Sequence, residues 1–193
     1  YEQVLEAFGH IGVTIEINPK PQEVPEPIAF PDDDRAAYHP AWVARFHTVL
    51  TSVERVTQRF RAPFRGRHSR LQFYWGTFDL NYARFSGRPA SAPPGAGVIS
   101  IPAMDAELYT CGFWPGDDRR TEPSFFAYAF PPPEGLERAP AEPGFWDQSI
   151  GEFILPYEAV RLADDPDEHL LAFLEAGFRA AADLGSWPEE LRG

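Results

Sequence analysis

Five short apolar segments follow one another between two amphipathic helical patterns, and no helical pattern separates them. Consecutive strands without intervening helices favour an antiparallel sheet. The sequence therefore predicts an α+β fold, a twisted antiparallel β-sheet packed by two main amphipathic helices, in a single domain spanning residues 1–193. The predicted strands are Leu71–Tyr82, Val98–Ile101, Leu108–Trp114, Ser124–Phe130 and Glu152–Leu155.

The two main helices are predicted from their apolar spacing and their end signals. Over residues 42–60 the apolar side chains recur with the 3.6-residue helical period, and Pro40 suits the first turn. The second helix should begin after Asp165, because Pro166 and Glu168 follow it as an N1 proline and a capping-box partner.

The first residues predict a short helix and a strand. The apolar spacing of residues 4–8 is helical, Gly9 and Gly12 should end that pattern, and residues 13–17 alternate between apolar and polar. Because the helical pattern is already present at the first residues, we expect the chain to begin inside an element and to lack upstream sequence. Residues 19–34, with five prolines and the acidic run Asp32, Asp33 and Asp34, predict an extended, ordered connector, and a linker between domains is the alternative.

The parity of the apolar residues changes within the longest predicted strand. Leu71, Phe73 and Trp75 occupy odd positions, whereas Phe78 and Leu80 occupy even ones. Since alternate residues of a strand point to opposite faces, one apolar face can continue only if an extra residue is inserted. We therefore predict a β-bulge at Gly76 that redirects the side chains of Thr77 and Asp79.

Large aromatic residues stand next to each other in three of the predicted strands. Adjacent strand residues face opposite sides of a sheet, so each set places a ring on both faces. The helices can cover one face, which leaves the second face to an upstream segment, a partner subunit or a ligand. The sets are Phe73, Tyr74 and Trp75; Phe113 and Trp114; and Phe125 and Phe126.

Composition limits the classes of function. The net charge of −12 disfavours nucleic-acid binding, which depends on neutralising phosphates with Lys and Arg. No run of about 18 apolar residues is present, so no membrane partner is expected. Cys111 is the single cysteine, so no internal disulfide can form, which favours a cytoplasmic protein. Lys20 is the only lysine among 17 basic residues, and this preference for arginine favours a bacterium with a GC-rich genome.

No common nucleotide-binding or catalytic motif is present, and the sequence predicts no cofactor. The five histidines lack close ligand spacing, so no metal site is expected, and the acidic run at residues 32–34 is interpreted as a solvated turn. Cys111 lies in an apolar strand, where a thiol is usually a buried, inert side chain with a raised pKa.

These features favour an acidic small-molecule binding protein as the leading hypothesis. An apolar pocket with a few convergent polar groups is the usual form of such a site. We expect the pocket between the bulged strand and a covering helix. Its predicted ligand-binding residues are Tyr74, Trp75, Asp79, Arg84 and Trp114.

Two alternatives from other classes of function stay open. The first is an enzyme of unfamiliar hydrolase or transferase type, in which His39 or His68 pairs with Asp79 or Glu152 for acid–base chemistry. The second is a protein–protein interaction domain whose aromatic second face docks a partner, including another copy of the chain as a homo-oligomer.

Four stretches resemble a known family, and they follow one another along this chain in the same order as in that family. They are residues 73–80 with 84–88, residues 112–116, residues 152–157 and residues 23–27. In these stretches the chain resembles a bacterial family known as domain of unknown function 5996. The resemblance implies the fold and a bacterial, cytoplasmic class but no reaction, and it implies a preceding segment of strands and a helix.

Overall fold

The structure, a computed structural model, describes residues 1–21, 26–32 and 37–192 of the 193-residue chain. The predicted connector at residues 22–25 and Asp33 and Asp34 of the acidic run lie outside the described residues. The chain divides into two compact units, residues 1–46 and residues 47–193, which we call the N-terminal unit and the C-terminal unit. Every buried side chain among the described residues belongs to the C-terminal unit.

The described part of the chain has six α-helices and a short 3₁₀ turn. They are α1 (Glu2–His10), α2 (Pro40–Arg61), α3 (Ser100–Ala103), α4 (Tyr157–Arg161), α5 (Pro166–Leu184), α6 (Glu189–Arg192) and the 3₁₀ turn Leu136–Arg138. The predicted α2 and α5 are confirmed. Asp165 is the N-cap of α5, and its side chain accepts a hydrogen bond from the Glu168 amide at 3.1 Å. None of these helices is long and apolar enough to cross a membrane.

In the N-terminal unit, α1 continues through Gly9 to His10, so the predicted stop at Gly9 is wrong. The helix ends before Gly12, which has a φ of 75°, as the sequence predicted. The predicted strand over residues 13–17 is wrong, because this segment forms no strand in the described part of the chain. An alternating pattern becomes a strand only where a neighbouring strand supplies hydrogen bonds. Here the Ile17 carbonyl accepts one instead from the Tyr1 hydroxyl, at 3.3 Å.

The predicted antiparallel sheet is confirmed and lies in the C-terminal unit. Six strands pair in the order β1-β2-β3-β4-β6-β5, and every pair is antiparallel. The strands are β1 (Gln72–Phe73), β2 (Leu80–Pro89), β3 (Ala106–Trp114), β4 (Ser124–Phe130), β5 (Phe145–Asp147) and β6 (Glu152–Pro156).

The sheet has a helical face and a second face. On the helical face, the Tyr109 hydroxyl donates to the Leu174 carbonyl of α5 at 3.0 Å, and the ring centroids of Phe60 in α2 and Tyr82 lie 6.0 Å apart. Residues of the alternate parity form the second face, where the buried Trp114 and Phe126 pack with Ile150 in a separate cluster. The prediction that adjacent aromatic residues place rings on both faces is therefore confirmed for two of the three sets, those of β3 and β4. It is wrong for the set at residues 73–75, because β1 ends at Phe73 and Tyr74 and Trp75 lie in the hairpin turn.

The predicted bulge at Gly76 is wrong, and a hairpin takes its place. Gln72 and Phe73 pair with Asn81 and Leu80, so the segment between them reverses the chain direction. The Tyr74 amide donates to the Asp79 carbonyl at 2.9 Å across this turn. A reversal changes side-chain parity just as an inserted residue does, so the alternating pattern alone could not distinguish the two.

The other differences lie at the ends of the predicted segments. The strand predicted at residues 98–101 is wrong, because Ser100 and Ile101 belong to α3 and the Ile101 amide donates to the Gly97 carbonyl at 3.1 Å. Pro102, the next residue, has no N–H to donate to a neighbouring strand. β2 continues to Pro89, beyond Tyr82, where the predicted strand ended. β5, three residues long, had no detectable pattern in the sequence.

Candidate functional site

A cavity of about 140 Å³ opens on the second face of the sheet. It combines an apolar and aromatic floor with two carboxylates, Asp79 and Glu152, from strand ends that are far apart in sequence. Its floor consists of Trp114, Phe126, Tyr128 and Ile150, and the remaining lining residues are Thr77, Asp79, Asn81, Arg119 and Glu152.

Strand register brings these residues together. Asn81 pairs with Gly112, Gly112 with Phe126, and Phe126 with Ile154, so one row of the second face crosses four strands. Gly112 contributes no side chain to this row, which leaves room between Asn81 and Phe126. Glu152 begins β6 at one side of this row, and Asp79 directly precedes β2 at the other.

The Glu152 carboxyl is half-buried, and burial raises its pKa to about 7. The positive charge of Arg119 opposes this rise, whereas the negative charges of Asp79 and Asp147 add to it. No ion pair or hydrogen bond reaches this carboxyl from the described residues. Glu152 is therefore partly protonated near neutral pH, and a positive charge placed beside it would favour its ionised form.

Asp79 is the second carboxylate of the cavity. Burial raises the pKa of its carboxyl, and its own backbone amide opposes that rise. The Thr77 hydroxyl donates a hydrogen bond to its Oδ1. Tyr128 lines the same cavity. Burial raises the pKa of its phenol most, and the negative charges of Glu152 and Asp79 add to the rise. The phenol therefore stays protonated and can donate a hydrogen bond.

Arg119 is the one basic residue in the lining of this cavity, and its charge is already paired. Its Nη2 lies 2.9 Å from Oδ2 of Asp117, and its guanidinium carbon lies 5.1 Å from the centroid of the Trp114 ring. The cavity therefore keeps an excess of acidic groups.

The five predicted ligand-binding residues do not come together. Asp79 and Trp114 line the cavity. Tyr74 lies at the hairpin. Burial raises the pKa of its phenol, and the negative charge of the nearby Asp79 adds to the rise. Trp75 is 81% exposed at the hairpin tip, and Arg84 lies on the helical face, because it shares the parity of Tyr82.

Sequence reasoning missed Asn81, Arg119 and Tyr128 as lining residues. Asn81 and Tyr128 could have been found from parity, since each alternates with buried residues of the helical face. Glu152 was named only as a possible acid–base partner, and its proximity to Asp79 depends on the strand order β2-β3-β4-β6, which no local pattern encodes.

The predicted pairing of a histidine with Asp79 or Glu152 gains no support, because no histidine lines this cavity. His68 instead lies with Nδ1 2.7 Å from the Ser69 carbonyl and packs against Tyr82. In the described ranges, no group of three or more His, Cys, Asp or Glu side chains could hold a metal ion. Cys111 is buried and burial raises its pKa to about 12, as predicted.

Comparisons with known proteins agree with the resemblance seen in the sequence. A family model described as "Family of unknown function (DUF5996)" matches residues 1–192. No curated protein and no solved structure matches the chain. Because the family model spans nearly the whole chain, the protein belongs to the DUF5996 family of unknown function.

Proposed function

We propose that the protein binds a small molecule carrying an amine in the cavity on the second face. The observation that carries this proposal is the convergence of Asp79 and Glu152 on an aromatic floor with no unpaired cation in the lining. Half-buried carboxylates are stabilised by an opposite charge within hydrogen-bonding reach. An ammonium group provides that charge together with hydrogen-bond donors.

The aromatic floor favours the same class of ligand. The faces of Trp and Tyr rings attract cations, and Trp114 already has the guanidinium of Arg119 near its ring. The cavity of about 140 Å³ is smaller than the sites of drug-sized molecules, which occupy about 300–1,000 Å³. The ligand should therefore be a compact metabolite. The proposal includes two expectations from the sequence, a bacterial source and a cytoplasmic location.

The test compares short primary amines with the alcohols of the same carbon skeleton in titrations followed by NMR. We expect at least one amine to bind about tenfold or more tightly than its alcohol. E152Q and D79N should each weaken amine binding about tenfold. E54Q is the matched control, because Glu54 is an exposed carboxylate on α2 and lies outside the cavity. Equal affinity for amines and alcohols, or no binding of any amine, would refute the proposal.

The pH dependence of the same titration gives a second test. Because the Glu152 carboxyl has a pKa of about 7, its charged form becomes dominant as the pH rises from 6 to 8. An ammonium ligand should bind more tightly over this interval in the unmodified protein. The increase should be much smaller in E152Q.

The two carboxylates also support a second candidate function, acid–base catalysis in the same cavity. A carboxyl with a pKa near 7 is suited to exchanging protons at neutral pH, and a nearby second carboxylate can stabilise a developing positive charge. Hydrolysis of a panel of small esters and amides tests this candidate. Turnover that depends on a group of pKa about 7 and disappears in E152Q would support it, whereas absence of turnover would leave binding as the function.

A further inference from the structure

Arg84 is a buried cation on the helical face of the sheet. Its side chain is 4% exposed. Its Nη2 donates a hydrogen bond to the Phe60 carbonyl near the end of α2, and its Nε is buried without a hydrogen-bond partner. The Tyr82 hydroxyl, which faces the same region, is also buried without one. The Tyr82 hydroxyl and the Arg84 guanidinium lie close enough to interact with each other, but no hydrogen bond of normal geometry joins them. A neutral hydroxyl also leaves the charge of Arg84 without a negative partner.

Aromatic rings, and no carboxylate, surround the guanidinium. Its central carbon lies 3.5 Å from the ring centroid of Phe60, 4.2 Å from that of Phe178 and 4.7 Å from that of Phe64. No acidic side chain in the described part of the chain forms an ion pair with it. Ring faces recover part of the lost hydration, but a buried charge is normally also paired with an opposite charge.

Arg84 lines a cavity of about 370 Å³ that is separate from the cavity on the second face. The rings around the guanidinium, together with Pro63 and Leu191, make much of this cavity apolar. Its charged rim holds three more arginines, Arg65, Arg179 and Arg192, against two glutamates, Glu175 and Glu190. Arg192 is already paired, because its Nη1 lies 3.5 Å from Oδ1 of Asp183, so Arg65, Arg179 and Arg84 are the arginines to set against the glutamates. Positive groups thus exceed negative ones locally, although the chain as a whole has a net charge of −12.

We propose that this cavity is a second binding site, for a small organic acid whose anionic group pairs with Arg84 and whose apolar body lies among the phenylalanine rings. A planar guanidinium matches the two oxygens of a carboxylate, and phosphate oxygens present the same chemistry. The cavity is large enough for a ring-sized body. The alternative is a purely structural arginine that caps α2 through the Phe60 carbonyl.

Phenylacetate and phenylacetamide distinguish these two roles, because they have nearly the same shape and differ in charge. In isothermal titrations at constant ionic strength, phenylacetate should bind at least tenfold more tightly than phenylacetamide. Inorganic phosphate is titrated in parallel. If phosphate alone binds and R84M abolishes that binding, the anionic group is a phosphate rather than a carboxylate and the site stands.

Variants then locate the binding. R84M keeps an unbranched side chain and removes the charge, and we expect it to lower phenylacetate affinity at least tenfold. If R84M does not fold, R65Q and R179Q test the exposed rim, and each should lower the affinity about threefold. R161Q is the matched control, because Arg161 is an exposed arginine of α4 outside this cavity.

Three results would overturn the proposal. The first is binding of phenylacetate and phenylacetamide with equal, measurable affinity, and the second is no binding of either phenylacetate or phosphate. The third is full phenylacetate affinity in R84M or, should R84M not fold, in R65Q and R179Q. E152Q should leave phenylacetate binding unchanged, because Glu152 lies on the other face of the sheet. The outcome at this cavity is thus independent of the outcome at the amine site.

Discussion

Gly112 allows β2 and β3 to pair closely because it has no side chain. A Cβ at position 112 would lie 1.8 Å from the Leu80 carbonyl oxygen, which belongs to the neighbouring strand. G112A should therefore force β2 and β3 apart and lower the free energy of unfolding by about 3 kcal/mol. Urea unfolding followed by tryptophan fluorescence measures the change. G76A is the control, since no atom lies within 4 Å of a Cβ there; equal midpoints for both variants would contradict this account.

Glu152 should impose a pH dependence on stability. Its pKa is about 7 in the folded protein against a reference value of 4.5, so between these values the folded state binds more protons than the unfolded state. Stability is then highest below pH 4.5 for this group and falls as the pH rises towards 7. The loss should be on the order of 2 kcal/mol after allowance for partial solvent screening.

The measurement for this prediction is the free energy of unfolding between pH 5 and 7.5, compared between the unmodified protein and E152Q. The glutamine variant lacks the titrating proton, so its stability relative to the unmodified protein should increase steadily over this range. The pKa of Asp79 is raised by its own burial, which is present in both proteins, so that part of its contribution is common to the two curves. A constant difference between the two proteins across the pH range would show that the pKa of Glu152 is not raised.

At the scale of elements, the sequence predicted correctly those features that depend on contacts between residues close together in the chain. The cap of α5 is such a case, because its partners lie within three residues of each other. The hairpin after β1 is the opposite case: residues 74–78 contain no typical two-residue turn, and β1 has only two residues. The pairing of β1 with β2, in which Phe73 lies opposite Leu80, defines this hairpin, and no turn signal marks it. The strand order β2-β3-β4-β6 joins segments that are distant in sequence, and such pairing leaves no mark in a local pattern. The cavity was only partly predicted for the same reason.

The N-cap prediction can be tested directly. D165A removes the oxygen that accepts a hydrogen bond from the Glu168 amide, leaving one of the first amides of α5 without a protein partner. The free energy of unfolding should fall by about 1 kcal/mol. D164A is the control, because Asp164 is an exposed neighbour that lies before the cap. Similar losses in the two variants would assign the effect to charge rather than to capping.

At the scale of the whole molecule, the sheet separates two cavities of different chemistry. The cavity on the second face has two carboxylates, Asp79 and Glu152, over an aromatic floor. The cavity on the helical face has Arg84, which forms no ion pair with a described residue, among phenylalanine rings. Both cavities are lined only by residues of the C-terminal unit, and β2 contributes Asn81 to one and Arg84 to the other. Alternation along one strand is thus sufficient to separate an acidic site from a basic one.

The distribution of buried side chains predicts which part of the chain folds by itself. All buried side chains among the described residues lie after residue 46, and α1 buries none. A chain that begins at Pro40 keeps α2 whole with its proline in the first turn. It should unfold cooperatively in urea, with a free energy of unfolding within about 1 kcal/mol of the full chain. A fragment that unfolds without a cooperative transition would show that residues 1–39 are required for the core to form.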